Sequence, residues 1–144
     1  MTDSHDIPHV PAGVEVVPIL DFGSQFVQLI ARRVREAGAF SILLAPNTPV
    51  EVLQALRPKG IILSGGPSSV DGENAPTCDP RILDMGVPVL GVCYGLQLMC
   101  SVLGGRVVPA EKREYGRAKL GVQGRGGMFH GIPSDTSVWM SHGD

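Results

Sequence analysis

Cysteine is sparse in this sequence: only Cys78, Cys93 and Cys100 occur, and no two of them stand at Cys-x-x-Cys spacing. An odd number without that spacing argues against both a disulfide framework and a structural zinc site, and fits a reducing, cytoplasmic setting. Charge is scarce as well, with 18% charged residues against about 25% in an average soluble protein. The formal net charge is −2 and the isoelectric point is near 6.0. Such a chain projects no field that would gather nucleic acid or an anionic membrane, so neither is expected as a partner. No stretch approaches the ~20 consecutive apolar residues of a membrane span. The first thirteen residues carry polar side chains and two prolines but neither a basic start nor an apolar core, unlike a signal peptide, and are expected to form a flexible tail. Internal repeats and low-complexity stretches are also lacking.

Glycine (19) and proline (12) are plentiful, together about a fifth of the chain, so many tight loops must punctuate the fold. The 144 residues amount to one domain at about 150 residues per unit, and 43% hydrophobic residues with a mean hydropathy of +0.15 are enough for one sizeable core. Residues 14–144 are expected to form it. Val14 to Leu20 is a short apolar run rich in β-branched residues and reads as a buried strand, with Pro18 expected where its nitrogen meets no partner. Gln25 to Ala37 has apolar residues at helical spacing between a candidate N-cap, Ser24, and a candidate C′ glycine, Gly38. Phe40 to Leu44 and Gly60 to Leu63 read as further strands, with a short helix from Pro49 to Leu56 between them.

Strands alternating with helices predict an α/β fold: a mostly parallel sheet, helices on both faces, and ligands beyond the carboxyl ends of the strands. A fourth strand, Val87 to Leu90, precedes a helix from about Tyr94 or Leu96 to Leu103 that Gly104-Gly105 closes. Val107-Val108, Ala118 to Val122 and Ser137 to Met140 are short runs separated by glycines, which predicts small antiparallel additions at an edge of the sheet.

Two strand ends carry candidate chemistry. Gly91-Val92-Cys93-Tyr94-Gly95 has the spacing of a nucleophile elbow, in which flanking glycines relieve crowding at a sharp turn and leave the nucleophile exposed. The start of the following helix would favour the thiolate of Cys93; the alternative is a buried core cysteine. Cys78, in a loop, and Cys100, inside the helix, are expected to be structural. A thiolate attacking an amide creates an oxyanion that needs preorganised N–H donors. Gly66, in Ser64-Gly65-Gly66-Pro67, and Tyr94 can supply them. The same loop could be a plain glycine turn or a phosphate-binding loop, although Pro67 lacks a donor and no Gly-Lys-Ser/Thr follows. Gln97, four residues after Cys93, shares its helix face and could hydrogen-bond a substrate there.

Asp21-Phe22-Gly23-Ser24-Gln25, Ser64-Gly65-Gly66-Pro67, Gly91 to Gln97, Arg113-Glu114-Tyr115-Gly116 and Ser141-His142-Gly143-Asp144 occur in this order. Together they resemble the class I glutamine amidotransferases, flavodoxin-like in fold, and within them the amidotransferase part of the GMP synthases, from Val14 to the last residue. The resemblance implies that Cys93 forms a glutamyl thioester and that the Gly66 and Tyr94 amides hold the oxyanion. It further implies that Gly65, Gln97 and the Ser141-His142 backbone cradle glutamine. The ammonia released would aminate XMP to GMP on a synthetase partner, an ATP-pyrophosphatase domain or subunit. On that partner ATP and Mg are expected, and no cofactor or metal is expected in this chain. Arg113 and Glu114 would either form a solvated face or touch the partner.

The family completes its triad with a His-x-Glu pair in a later Phe-His-Pro-Glu segment, which is not among these residues. His5 and His9 are in the tail, His130 is in a glycine-rich loop, and the family assigns His142 to substrate binding. The domain is therefore expected to be incomplete at its C-terminus, lacking strands of the sheet, and to be a very weak glutaminase by itself. Two other classes stand beside this reading: a truncated or non-catalytic amidotransferase-like module for interaction or regulation, and a flavodoxin-like nucleotide binder.

Overall fold

A computed structural model describes residues 6–67, 72–108, 114–123 and 127–142. The chain forms two compact units, Met1–Val107 and Val108–Asp144. In the first, β1 (Val16–Leu20), α1 (Val27–Glu36), β2 (Phe40–Leu44), α2 (Val50–Ala55) and β3 (Ile61–Leu63) follow one another. A short 3-10 helix (Pro80–Asp84), β4 (Val89–Gly91) and α3 (Tyr94–Val102) complete it. The strands form one parallel sheet in the order β2-β1-β3-β4.

Strand side chains alternate between faces, so consecutive apolar residues serve opposite layers. Ile19, Leu43 and Ile62 pack with Val27 and Ala31 of α1 on one face. Leu20, Leu44, Ile61 and Leu63 pack with Leu53 of α2, Ile82, and Tyr94 and Leu98 of α3 in the other cluster. Helices thus cover both faces, as the alternation of strands and helices predicts. Pro18 lies in a central strand, and the reason it is tolerated is local. The Glu15 carbonyl bonds Phe40 of β2, and the Val16 carbonyl bonds Lys59 on the other side. By alternation the Pro18 nitrogen faces the β3 side, one residue before the first β1–β3 pair, Ile19↔Ile62. The missing donor therefore falls where that ladder has not begun.

Glycine closes two of the helices. After α1, Gly38 at φ 94° lets its N–H reach the Arg35 carbonyl and that of Ala39 the Val34 carbonyl, a Schellman closure. After α3, Gly104 at φ 88° and Gly105 repeat it on Ser101 and Cys100. The N-terminus of α1 departs from expectation. Ser24 accepts from the Phe26 N–H at 3.0 Å, making a tight turn one step ahead, and the N-cap position falls to Phe26. The buried stripe is Val27 and Ala31, flanked by Ile30 and Val34, so Phe26 and Leu29 are left exposed.

In the second unit, β5 (Glu114–Gly121) and β6 (Asp135–His142) pair antiparallel from Glu114↔His142 to Gly121↔Asp135. The expected antiparallel addition is present as a two-stranded ladder of its own. Val107 and Val108 are irregular and take no part in it.

Candidate active site

The sheet order turns back between β1 and β3, and at such a switch point the loops leaving the carboxyl ends diverge and open a crevice. β4 lies beside β3, so its carboxyl end, with the elbow, joins this region. Cys93 stands at φ 51° and ψ −113°, a backbone conformation that residues with a Cβ rarely adopt. The turn reverses the chain sharply enough that glycine is required on both sides. A Cβ on Gly95 would come within 2.3 Å of the Leu63 carbonyl oxygen, and one on Gly91 within 2.7 Å of the Leu96 backbone. The turn is held by the Val92 N–H on Leu63 at 2.9 Å, by the Gly95 N–H shared between the Ser64 and Val92 carbonyls, and by the Gln97 N–H on the Cys93 carbonyl at 3.1 Å. Cys93 is exposed and occupies the N-cap position of the nine-residue α3, where the helix dipole favours an anion.

The loop after β3 closes over the same place. A Cβ on Gly65 would lie 3.2 Å from the Cys93 Cβ and 3.8 Å from its Sγ, so this glycine leaves open the space beside the sulfur. A Cβ on Gly66 would meet the Phe22 carbonyl oxygen at 2.3 Å, so the loops after β1 and β3 touch backbone to backbone. Among the described residues, neither the Gly66 nor the Tyr94 N–H donates to a backbone carbonyl. Tyr94 itself is an anchor. Its ring is buried against Phe22, with centroids 5.3 Å apart, and its hydroxyl donates to the Pro76 carbonyl. Burial pushes its phenol up from the ordinary range.

The structure thus gathers Cys93, Tyr94, Gly65 and Gly66, with Gln97 half-buried one turn into α3. Ser141 and His142 end β6 in the second unit, paired with Tyr115 and Glu114. Arg113 and Asp144 lie outside the described residues. Cys78 is half-buried, and burial pushes its thiol up from the ordinary range. Cys100 is half-buried and directs its sulfur to the Arg106 carbonyl.

Sequence reasoning missed Ser64 and Phe22. Ser64 is fully buried; its Oγ accepts from the Phe22 N–H at 3.0 Å and donates to the Gly65 carbonyl at 2.9 Å. The one available signal was a polar residue directly after the apolar Ile61 to Leu63, where burial demands partners.

The family described as glutamine amidotransferase class-I matches residues 18–144. A glutamine-hydrolyzing GMP synthase of Enterococcus faecalis is 54% identical over 131 residues, covering 91% of this chain and 25% of that protein. One from Synechococcus is 58% identical over 129 residues, covering 89% and 24%. The crystal structure of a protein from Thermoplasma acidophilum, described as one subunit of a GMP synthase, shares the fold at a TM-score of 0.76 and 27% identity, over 90% of this chain and 65% of that one. The chain spans about a quarter of the length of the curated relatives it matches. With an exposed cysteine at a glycine-flanked elbow and a family match across nearly its whole length, the chain belongs to the class-I glutamine amidotransferase family.

Proposed function

We propose that this chain is the part of a GMP synthase that releases ammonia from glutamine, with Cys93 as nucleophile. The observation that carries this is the exposed Cys93, held at φ 51° on the N-terminus of α3 with Gly65 directly beside its sulfur. The Cys93 thiolate adds to the side-chain amide carbon of glutamine, and the carbonyl electrons move onto oxygen. The Gly66 and Tyr94 amides stabilise that oxyanion. As it collapses the C–N bond breaks, the nitrogen takes up a proton and leaves as ammonia, and a glutamyl thioester remains on the sulfur. Water then adds to the thioester, giving glutamate and restoring the thiolate. Gly65 and Gln97 hold the amino acid.

The names and lengths of the relatives support the second half of the reading, since they are glutamine-hydrolyzing GMP synthases about four times as long. Ammonia passes to a synthetase domain or subunit of ATP-pyrophosphatase type that aminates XMP to GMP. ATP and Mg belong to that partner, this chain holds no cofactor, and the setting is cytoplasmic.

The test is exposure to a chloroketone analogue of glutamine followed by peptide mass mapping. The expected result is a single adduct on Cys93 that excess glutamine suppresses. An unmodified Cys93, or modification that glutamine does not slow, would overturn the assignment.

A further inference from the structure

We propose that the Ser64 hydroxyl is a positioning residue that locks the Gly65–Gly66 peptide in the orientation an oxyanion needs; this rests on the amidotransferase reading above. The direction of its two hydrogen bonds follows from chemistry. The Phe22 N–H can only donate, so the Ser64 Oγ must accept from it, at 3.0 Å. That leaves the hydroxyl proton for the Gly65 carbonyl, at 2.9 Å. Ser64 is fully buried, so no water competes for either bond, and both of its partners are backbone.

The Gly65 carbonyl and the Gly66 N–H belong to the same trans peptide plane and point in opposite directions. Fixing the carbonyl toward Ser64 therefore fixes the Gly66 N–H on the other side. Two glycines in succession are the backbone least able to hold one orientation without help, because they populate conformations that other residues cannot. A flip of this plane would replace the donor by a carbonyl oxygen, which repels an oxyanion. The hydroxyl also ties this plane to the loop after β1, since Phe22 supports the Tyr94 ring. Both proposed donors thus rest on one buried Ser64–Phe22–Tyr94 assembly.

The experiment compares two reagents on Cys93 in the full chain. The chloroketone analogue of glutamine must place its carbonyl oxygen at the oxyanion position, whereas iodoacetamide alkylates sulfur by direct displacement and forms no oxyanion. In Ser64→Ala the chloroketone rate is expected to fall about tenfold to a hundredfold, below the ~10²–10³ of removing a donor outright. The iodoacetamide rate is expected to stay within about twofold. Ser64→Cys keeps the volume should the alanine variant fail to fold, and is expected to behave like it. Ser64→Thr, which retains a hydroxyl, is expected to recover most of the chloroketone rate. Equal loss with both reagents would reduce Ser64 to a structural residue, and an unchanged chloroketone rate in both Ala and Cys variants would sink the lock. A native chain that the chloroketone does not modify would instead bring down the amidotransferase reading, and this inference with it.

Discussion

A side chain held at φ 51° and ψ −113° costs of order 1–3 kcal/mol, so the surrounding contacts at Cys93 must over-determine the turn. Gly95 packed on Leu63 and the Val92 and Gly95 amide bonds do so. Comparing Cys93→Gly with Cys93→Ala isolates that strain, since both remove the sulfur and only alanine keeps a Cβ. The glycine variant is expected to be more stable by about 1 kcal/mol in urea denaturation, after the extra chain entropy of glycine is offset. An alanine variant as stable as the glycine one would show that the backbone is relaxed there. The elbow was legible because sterics leave it few spellings: glycine must stand two residues either side of the nucleophile. Ser64 was not legible, since the amide that defines its task lies 42 residues away at Phe22. Ser24 shows the opposite limit, a local hydroxyl whose bond falls on Phe26 and so shifts the helix start beyond what type and position alone could fix.

Among the elements, the starts of α2 and of the 3-10 helix depend on one carboxylate. Asp79 accepts from the Val50 N–H at 3.1 Å with Oδ2 and from the Arg81 N–H at 3.1 Å with Oδ1. The Arg81 guanidinium beside it, helped by these two amides, holds its carboxyl down at about 2. Arg81 also reaches Glu51 at 2.7 Å, but that pair is exposed and contributes little. The amides matter more, because they are helix-end donors that the helices themselves cannot satisfy. Asp79→Ala is expected to cost about 1 kcal/mol near neutral pH. The sign with pH follows from the direction of the shift. A carboxyl depressed in the folded state adds stability above its unfolded value, near 4, and loses it as pH falls toward about 2. Urea midpoints of native and Asp79→Ala chains are therefore expected to differ by a constant amount above about pH 5 and to converge only at or below about pH 2. A gap that is independent of pH would assign the effect to packing. Periodicity revealed the strands and α1 because each buries its own apolar residues, and the Schellman glycines marked two helix ends. It could not reveal Asp79, which serves a helix 29 residues earlier. Nor did it separate Val107-Val108 from β5 and β6, because a two-stranded ribbon is defined by cross-strand pairing that no single strand displays.

At the scale of the molecule, nucleophile formation and turnover make different demands. The first unit alone contains Cys93, Gly66 and Tyr94, the groups proposed for attack and oxyanion stabilisation, together with Gly65 and Gln97. Turnover also needs a proton for departing ammonia and a base for the water that hydrolyses the thioester. None of the four histidines in these 144 residues has glutamate two positions after it, so the His-x-Glu pair of the family is not among them. General acid–base groups contribute about 10²–10⁴-fold. A polypeptide of these residues is accordingly expected to form the chloroketone adduct readily yet to release ammonia from glutamine about 10²–10⁴-fold more slowly than a full-length relative. Ammonia production matching the full-length relative would mean that a group within these residues manages the proton, with His142 the first to substitute. Loss of adduct formation together with turnover would place the deficiency earlier, in the binding of glutamine itself.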